Sequence, residues 1–139
     1  MFITITDTLS VAPQISTGDV AEAAAQGFRT IVNNRPDGES FDQPPGAEIA
    51  AACAAAGLAY VAIPVDHTGF NLDQVLQMAV AMEKGPVLAF CRSGTRSCNL
   101  WALAEAKRGG NPADIIAAAG RGGYNVAGLL PLLKQLAGG

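Results

Sequence analysis

Two uninterrupted apolar stretches, Leu58–Val65 and Pro86–Phe90, constrain the fold more than any other feature of the chain. Each follows a glycine, Gly57 or Gly85, and the first stops at the polar segment Asp66–Asn71 while the second stops at a loop of small and cationic residues. An apolar run too short for a typical helix, with no alternation, reads as a strand covered on both faces, and such strands belong to parallel sheets. Parallel strands in turn need crossovers between them, so helices are expected in the intervening segments.

The segments supply them. Thr17–Gln26 starts after an N-cap at Ser16 or Thr17, carries Asp19 and Glu22 where a helix dipole favours acids, and stops at Gly27. Phe28–Asn33 follows as a strand and runs into a polar loop, Asn34–Gly46. Ala47–Ala56 is an alanine-rich helix with Ile49 and Cys53 one turn apart. Leu72, Val75, Leu76 and Ala79 give Leu72–Lys84 an amphipathic helical pattern capped by Asn71. A further helix runs to about Arg108, and Pro112–Gly120 and Asn125–Leu136 add two more, the last with Val126, Leu129, Leu130 and Leu133 at core spacing. At the N-terminus, Phe2–Ile5 reads as a half-buried edge strand and Leu9–Ile15 as a second extended piece broken by Pro13. This β-α-β-α-β-α-β order followed by helices predicts one compact α/β domain over residues 1–139, with a mostly parallel central sheet of four to five strands flanked by helices.

Composition narrows the chemistry. Nine Lys plus Arg in 139 residues and a net charge of −3 leave no basic stripe for a phosphate backbone, so nucleic acid is not an expected partner. The one histidine, His67, and three cysteines without paired C-x-x-C spacing do not make a metal site, and no metal or other cofactor is expected. No apolar run approaches the roughly 20 residues of a membrane span. The odd cysteine count and an N-terminus without the pattern of a signal peptide point to a reducing, cytoplasmic setting.

The chemistry centres on Cys91, which ends the apolar strand and opens Cys91-Arg92-Ser93-Gly94-Thr95-Arg96-Ser97 before a helix. Ligands of open α/β sheets bind at this edge. The backbone N–H groups from Arg92 to Ser97 are expected to curl towards one point as an anion cradle, with Gly94 permitting the turn. The same field favours a thiolate on Cys91. Arg96 offers a bidentate fork for an oxyanion, Arg92 and Thr95 complete the lining with Ser93, and Ser97 is placed to donate to the sulfur. A buried strand-end cysteine beside surface arginines is the simpler alternative. It leaves unexplained why two arginines oppose a helix dipole unless an anion sits there.

The chain resembles the DUF442 family, the phosphatase-like domain of beta-lactamase-hydrolase-like proteins. The resemblance rests on Ser10–Ile15, Gly27–Glu39, Gly57–Tyr60 leading to Ile63–Val65, and Gly85–Ser97. It implies a fold like that of dual-specificity and protein tyrosine phosphatases and two candidate chemistries. In the first, Cys91 forms a cysteinyl-phosphate from a phosphomonoester, Arg96 and the loop amides hold its oxygens, and Asp66, 25 positions before the cysteine, is the general acid, with His67 beside it. In the second, Cys91 carries a persulfide between a sulfane-sulfur donor and a thiol acceptor, as in rhodaneses. Phosphatases place five residues between cysteine and arginine. Here there are four, and Cys91, Arg92, Gly94 and Arg96 match the rhodanese pattern. The phosphatase reading is the expectation, sulfur transfer the alternative, and an anion-binding module without turnover a third. Arg35, in Arg35–Glu39, is either a second wall of the pocket or half of a local ion pair. Cys53 and Cys98 read as packing residues, Cys98 lying about 10 Å from Cys91 along an intact helix, and Trp101 belongs to that helix's buried face.

Overall fold

The computed structural model describes residues 1–138. The chain opens with two short strands, β1 (Ile3–Thr6) and β2 (Leu9–Ala12), then α1 (Thr17–Ala25), β3 (Thr30–Asn33), α2 (Gly46–Ala56), β4 (Ala59–Ala62), α3 (Leu72–Met82) and β5 (Val87–Phe90). Helices α4 (Thr95–Lys107) and α5 (Pro112–Arg121), a 3₁₀ turn at Ala127–Leu129 and α6 (Leu130–Gly138) complete it. The strands form one sheet in the order β1-β2-β5-β3-β4, antiparallel only between β1 and β2. The strand β5 lies in the middle, with Val87 opposite Leu9 on one side and Thr30 on the other. All four of its residues are buried, as its unbroken apolar sequence requires.

Helices cover both faces. One side buries Ile31, Leu88 and Phe90 against Val20 and Ala23 of α1 and Ile49 and Cys53 of α2. The other buries Val32, Val87 and Ala89 against α3, α4, α5 and α6, with Trp101 and Leu100 at its heart. Local capping agrees with the sequence. Ser16 and Asp19 close a reciprocal capping box on α1, and Asn71 and Gln74 do the same for α3.

Two expectations fail for one physical reason. The run Leu58–Val65 is not a strand covered on both faces: β4 pairs only with β3, and its residues are exposed or half-buried. Leu58, Ile63 and Val65 are buried just outside the strand, while Ala59 and Ala62 tolerate solvent. Likewise α3, which packs on α4 at the outside of its layer, buries Val75, Met78 and Ala81 and leaves Leu72, Leu76 and Val80 exposed. Apolar content reports the capacity to be buried, and an edge position does not use all of it.

Candidate active site

The central strand delivers Cys91 to the carboxyl edge of the sheet, between the chain segments that leave β2 and β3. Cys91 N–H donates to Ala12 O at 3.3 Å on the β2 side, and Asn34 N–H to Phe90 O at 2.9 Å on the β3 side. The thiol is fully buried. Gly94 then takes φ +91°, which L side chains rarely adopt, and this turns its N–H onto Cys91 Sγ at 3.1 Å. Cys98 N–H bonds Gly94 O at 2.9 Å and starts α4. Of the loop amides, the Gly94 N–H is bonded to the sulfur and the Thr95 N–H to Ser93 Oγ at 3.4 Å, and Arg92, Ser93 and Thr95 are exposed beside them. Ser93 and Thr95 pair their hydroxyls at 3.0 Å.

Arg96 reaches across to a residue not assigned from sequence. Its Nη1 and Nη2 donate to Glu39 Oε2 and Oε1 at 2.7 and 2.8 Å, and Nη1 also donates to Val65 O at 2.7 Å. Glu39 in turn accepts from Arg35 Nε at 3.0 Å, and Arg35 Nη1 donates to Gln14 Oε1 at 3.0 Å. The bonded Arg96, with Arg35 behind it, holds the Glu39 carboxyl below its ordinary value despite partial burial. Reciprocally Glu39 first, with Cys91 contributing, holds the Arg96 guanidinium above its ordinary value. Of the two readings of Arg35, the local ion pair is formed, and the buried guanidinium joins Glu39 to Gln14. Arg35 also lines a separate cavity of about 210 Å³ beside the N-terminus of α2, with Asn33, Asp37 and Tyr60.

Ser97 is not on the sulfur. Its buried hydroxyl donates to Asn34 Oδ1 at 2.8 Å, while Asn34 Nδ2 donates to Ile63 O at 2.9 Å. A buried amide at the end of β3 offers a fixed acceptor, and the hydroxyl takes it, tying the first turn of α4 to β3 and β4. Asp66 stands on the exposed loop after Val65, but its carboxylate accepts the Thr68 N–H and hydroxyl in a local turn. Those bonds, the hydroxyl first, hold it below the ordinary carboxylate range, the opposite of what a protonated general acid needs. His67 is exposed on the same turn. Cys98 and Cys53 are buried within the cores, their thiols pushed up to about 12 and about 11 chiefly by burial. The last contact comes from the tail: Tyr124 OH donates to Ser93 O at 3.0 Å. Glu39 had a signal in sequence, four residues after Arg35; Tyr124 had none. Among the described residues, no three of His, Cys, Asp and Glu gather as a metal site.

The family model for the phosphatase-like domain of beta-lactamase hydrolase-like protein matches residues 1–108. A beta-lactamase hydrolase-like protein of Xylella fastidiosa (strain Temecula1) is 36% identical over 138 residues, covering 97% of this chain and 32% of the relative. One from Agrobacterium fabrum is 38% identical over 109 residues, covering 77% and 25%. The chain thus spans about a third of the length of the curated relatives it matches. Among solved structures, a candidate phosphatase of Neisseria meningitidis superimposes with TM-score 0.80 at 30% identity over 96% of each chain. PTPMT1 in complex with PI(5)P gives 0.74 at 17% identity, over 99% of this chain and 94% of that one, a likeness of fold.

Proposed function

The chain belongs to the family of phosphatase-like domains of beta-lactamase hydrolase-like proteins, and from that premise we propose that it hydrolyses phosphomonoesters through a cysteinyl-phosphate on Cys91. The observation that carries the reading is the Cys91 sulfur at the carboxyl end of the central strand, cupped by its own loop with the Gly94 N–H at 3.1 Å. A thiolate there attacks phosphorus in line; the S–P bond forms as the P–O bond to the leaving group breaks. The loop amides and Arg96 hold the equatorial oxygens, and Arg92 and Thr95 on the rim meet the substrate. Water then cleaves the S–P bond and releases phosphate. Thr68 engages the Asp66 carboxylate in a local turn, so the reading favours substrates with acidic leaving groups, such as aryl and acyl phosphates, which need no protonated acid.

Sulfur transfer is the second reading, favoured by the four-residue spacing of Cys91 and Arg96 and by the engagement of Asp66 with Thr68. A persulfide is smaller than a phosphoryl group and leaves no alkoxide to protonate. Intact-mass trapping separates the two: a gain of about 80 Da from an aryl phosphate marks the phosphoryl-enzyme, a gain of about 32 Da from thiosulfate the persulfide. A gain of about 32 Da together with no phosphate release overturns the first reading. Neither gain, with tungstate binding retained by the Cys91→Ser protein, leaves an anion-binding module.

A further inference from the structure

The peptide unit joining Ser93 to Gly94 is bonded on both sides. Its N–H, on Gly94, donates inward to Cys91 Sγ at 3.1 Å, and its C=O, on Ser93, accepts the Tyr124 hydroxyl from outside at 3.0 Å. The two groups of a trans peptide point in opposite directions, so fixing one fixes the other. Orientation matters here because Gly94, at φ +91°, is the residue at which the backbone rotates with least steric resistance. Rotated by half a turn, the same peptide would aim a carbonyl dipole at the sulfur and repel both a thiolate and an incoming anion.

We propose that Tyr124 is a positioning residue for the nucleophile: its hydroxyl holds the Ser93–Gly94 peptide so that the Gly94 N–H faces Cys91. Tyr124 lies in the α5–α6 connection, beyond the residues matched by the family model, and the tail thereby reaches the catalytic loop. The fit is close, since a Cβ placed on Gly94 would lie 2.2 Å from the Tyr124 oxygen. Glycine and tyrosine are thus matched: the one residue that permits the flip is also the one that lets the latch approach. A hydrogen bond to the carbonyl further polarises the N–H on the same unit, strengthening its bond to the sulfur. Burial, with Cys98 and Cys91 nearby, holds the phenol above its ordinary value, so it keeps the proton that it donates. The titratable groups around the sulfur are Arg96 and Cys98 on α4, Tyr124, and Glu39 acting through Arg96. Only Tyr124 is altered by Tyr124→Phe. The inference rests on Cys91 as the nucleophile and holds whichever group the sulfur takes.

The experiment is the rate of Cys91 alkylation by iodoacetamide against pH, for the wild type and Tyr124→Phe, with Cys91→Ser subtracting the buried thiols. The curve for Tyr124→Phe is expected to shift to higher pH, with alkylation about threefold or more slower on its acid side and an unchanged alkaline plateau. Trp101, buried on α4, reports the fold in the same samples. Superimposable curves with native Trp101 emission overturn the assignment. So does loss of native emission, which would make the hydroxyl structural. A wild type whose Cys91 fails to alkylate at all overturns the nucleophile itself, a separate result.

Discussion

Glu39 and Arg96, 57 residues apart in sequence, face each other through two parallel hydrogen bonds at 2.7 and 2.8 Å. The carboxylate of the chain itself thus engages both terminal nitrogens of the guanidinium proposed to hold an oxyanion. Replacing it with a neutral isostere frees that charge. Glu39→Gln is expected to bind tungstate about three- to tenfold tighter by calorimetry. Weaker binding would mean that Glu39 serves chiefly to orient the arginine.

The same pair links stability to pH. Glu39 titrates lower in the fold than its ordinary value of 4.5, so its contribution is complete above that value and disappears as pH falls through the folded one. The side chains are only a quarter exposed, and the geometry is bidentate, so the contribution is about 1 kcal/mol. Urea unfolding should show wild type more stable than Glu39→Gln by a constant margin above about pH 5, shrinking as pH falls below the ordinary value of 4.5. A margin independent of pH removes the ion pair as its source.

Asp66 is already engaged by Thr68. Turnover of aryl phosphates by Asp66→Asn is therefore expected within about threefold of wild type, with no dependence on leaving-group pKa. A loss of about a hundredfold or more that grows as the leaving group becomes more basic would restore it as the general acid.

Ser97 and Asn34 form a buried relay of hydrogen bonds that ends on Ile63 O. Ser97→Ala strands Asn34 Oδ1 without a donor and is expected to cost about 1–3 kcal/mol in urea unfolding. Alkylation of Cys91 should be unaffected, because the hydroxyl does not touch the sulfur. A slowed alkylation at unchanged stability would place it there.

Features set by neighbours along the chain are legible in the sequence. Continuous apolar residues in Pro86–Phe90 announce a strand buried on both faces, and the glycine after it announces the turn that brings the Gly94 N–H onto Cys91. Capping at Ser16 and Asn71 is equally local. By contrast, an apolar run cannot say whether both of its edges will be paired, which is why β4 and the outer stripe of α3 depart from expectation. Glu39 and Tyr124 reach the site across the fold from a polar loop and from the tail; the spacing from Arg35 announces only the local pair of Glu39, and nothing announces the approach of Tyr124. Ser97 has the right spacing and a better partner elsewhere.

The position of β5 makes the centre of the sheet a non-local structure. The middle strand of the sheet comes last of the five in the chain, and it must insert between β2 and β3, which are made long before it. Such non-local pairing pays its loop-closure entropy early and slows folding relative to a helical bundle. Until the insertion is complete Cys91 has neither cover nor cradle. A newly made chain therefore exposes three thiols that the fold buries, and refolding yield should depend on reductant in a way that the finished fold does not.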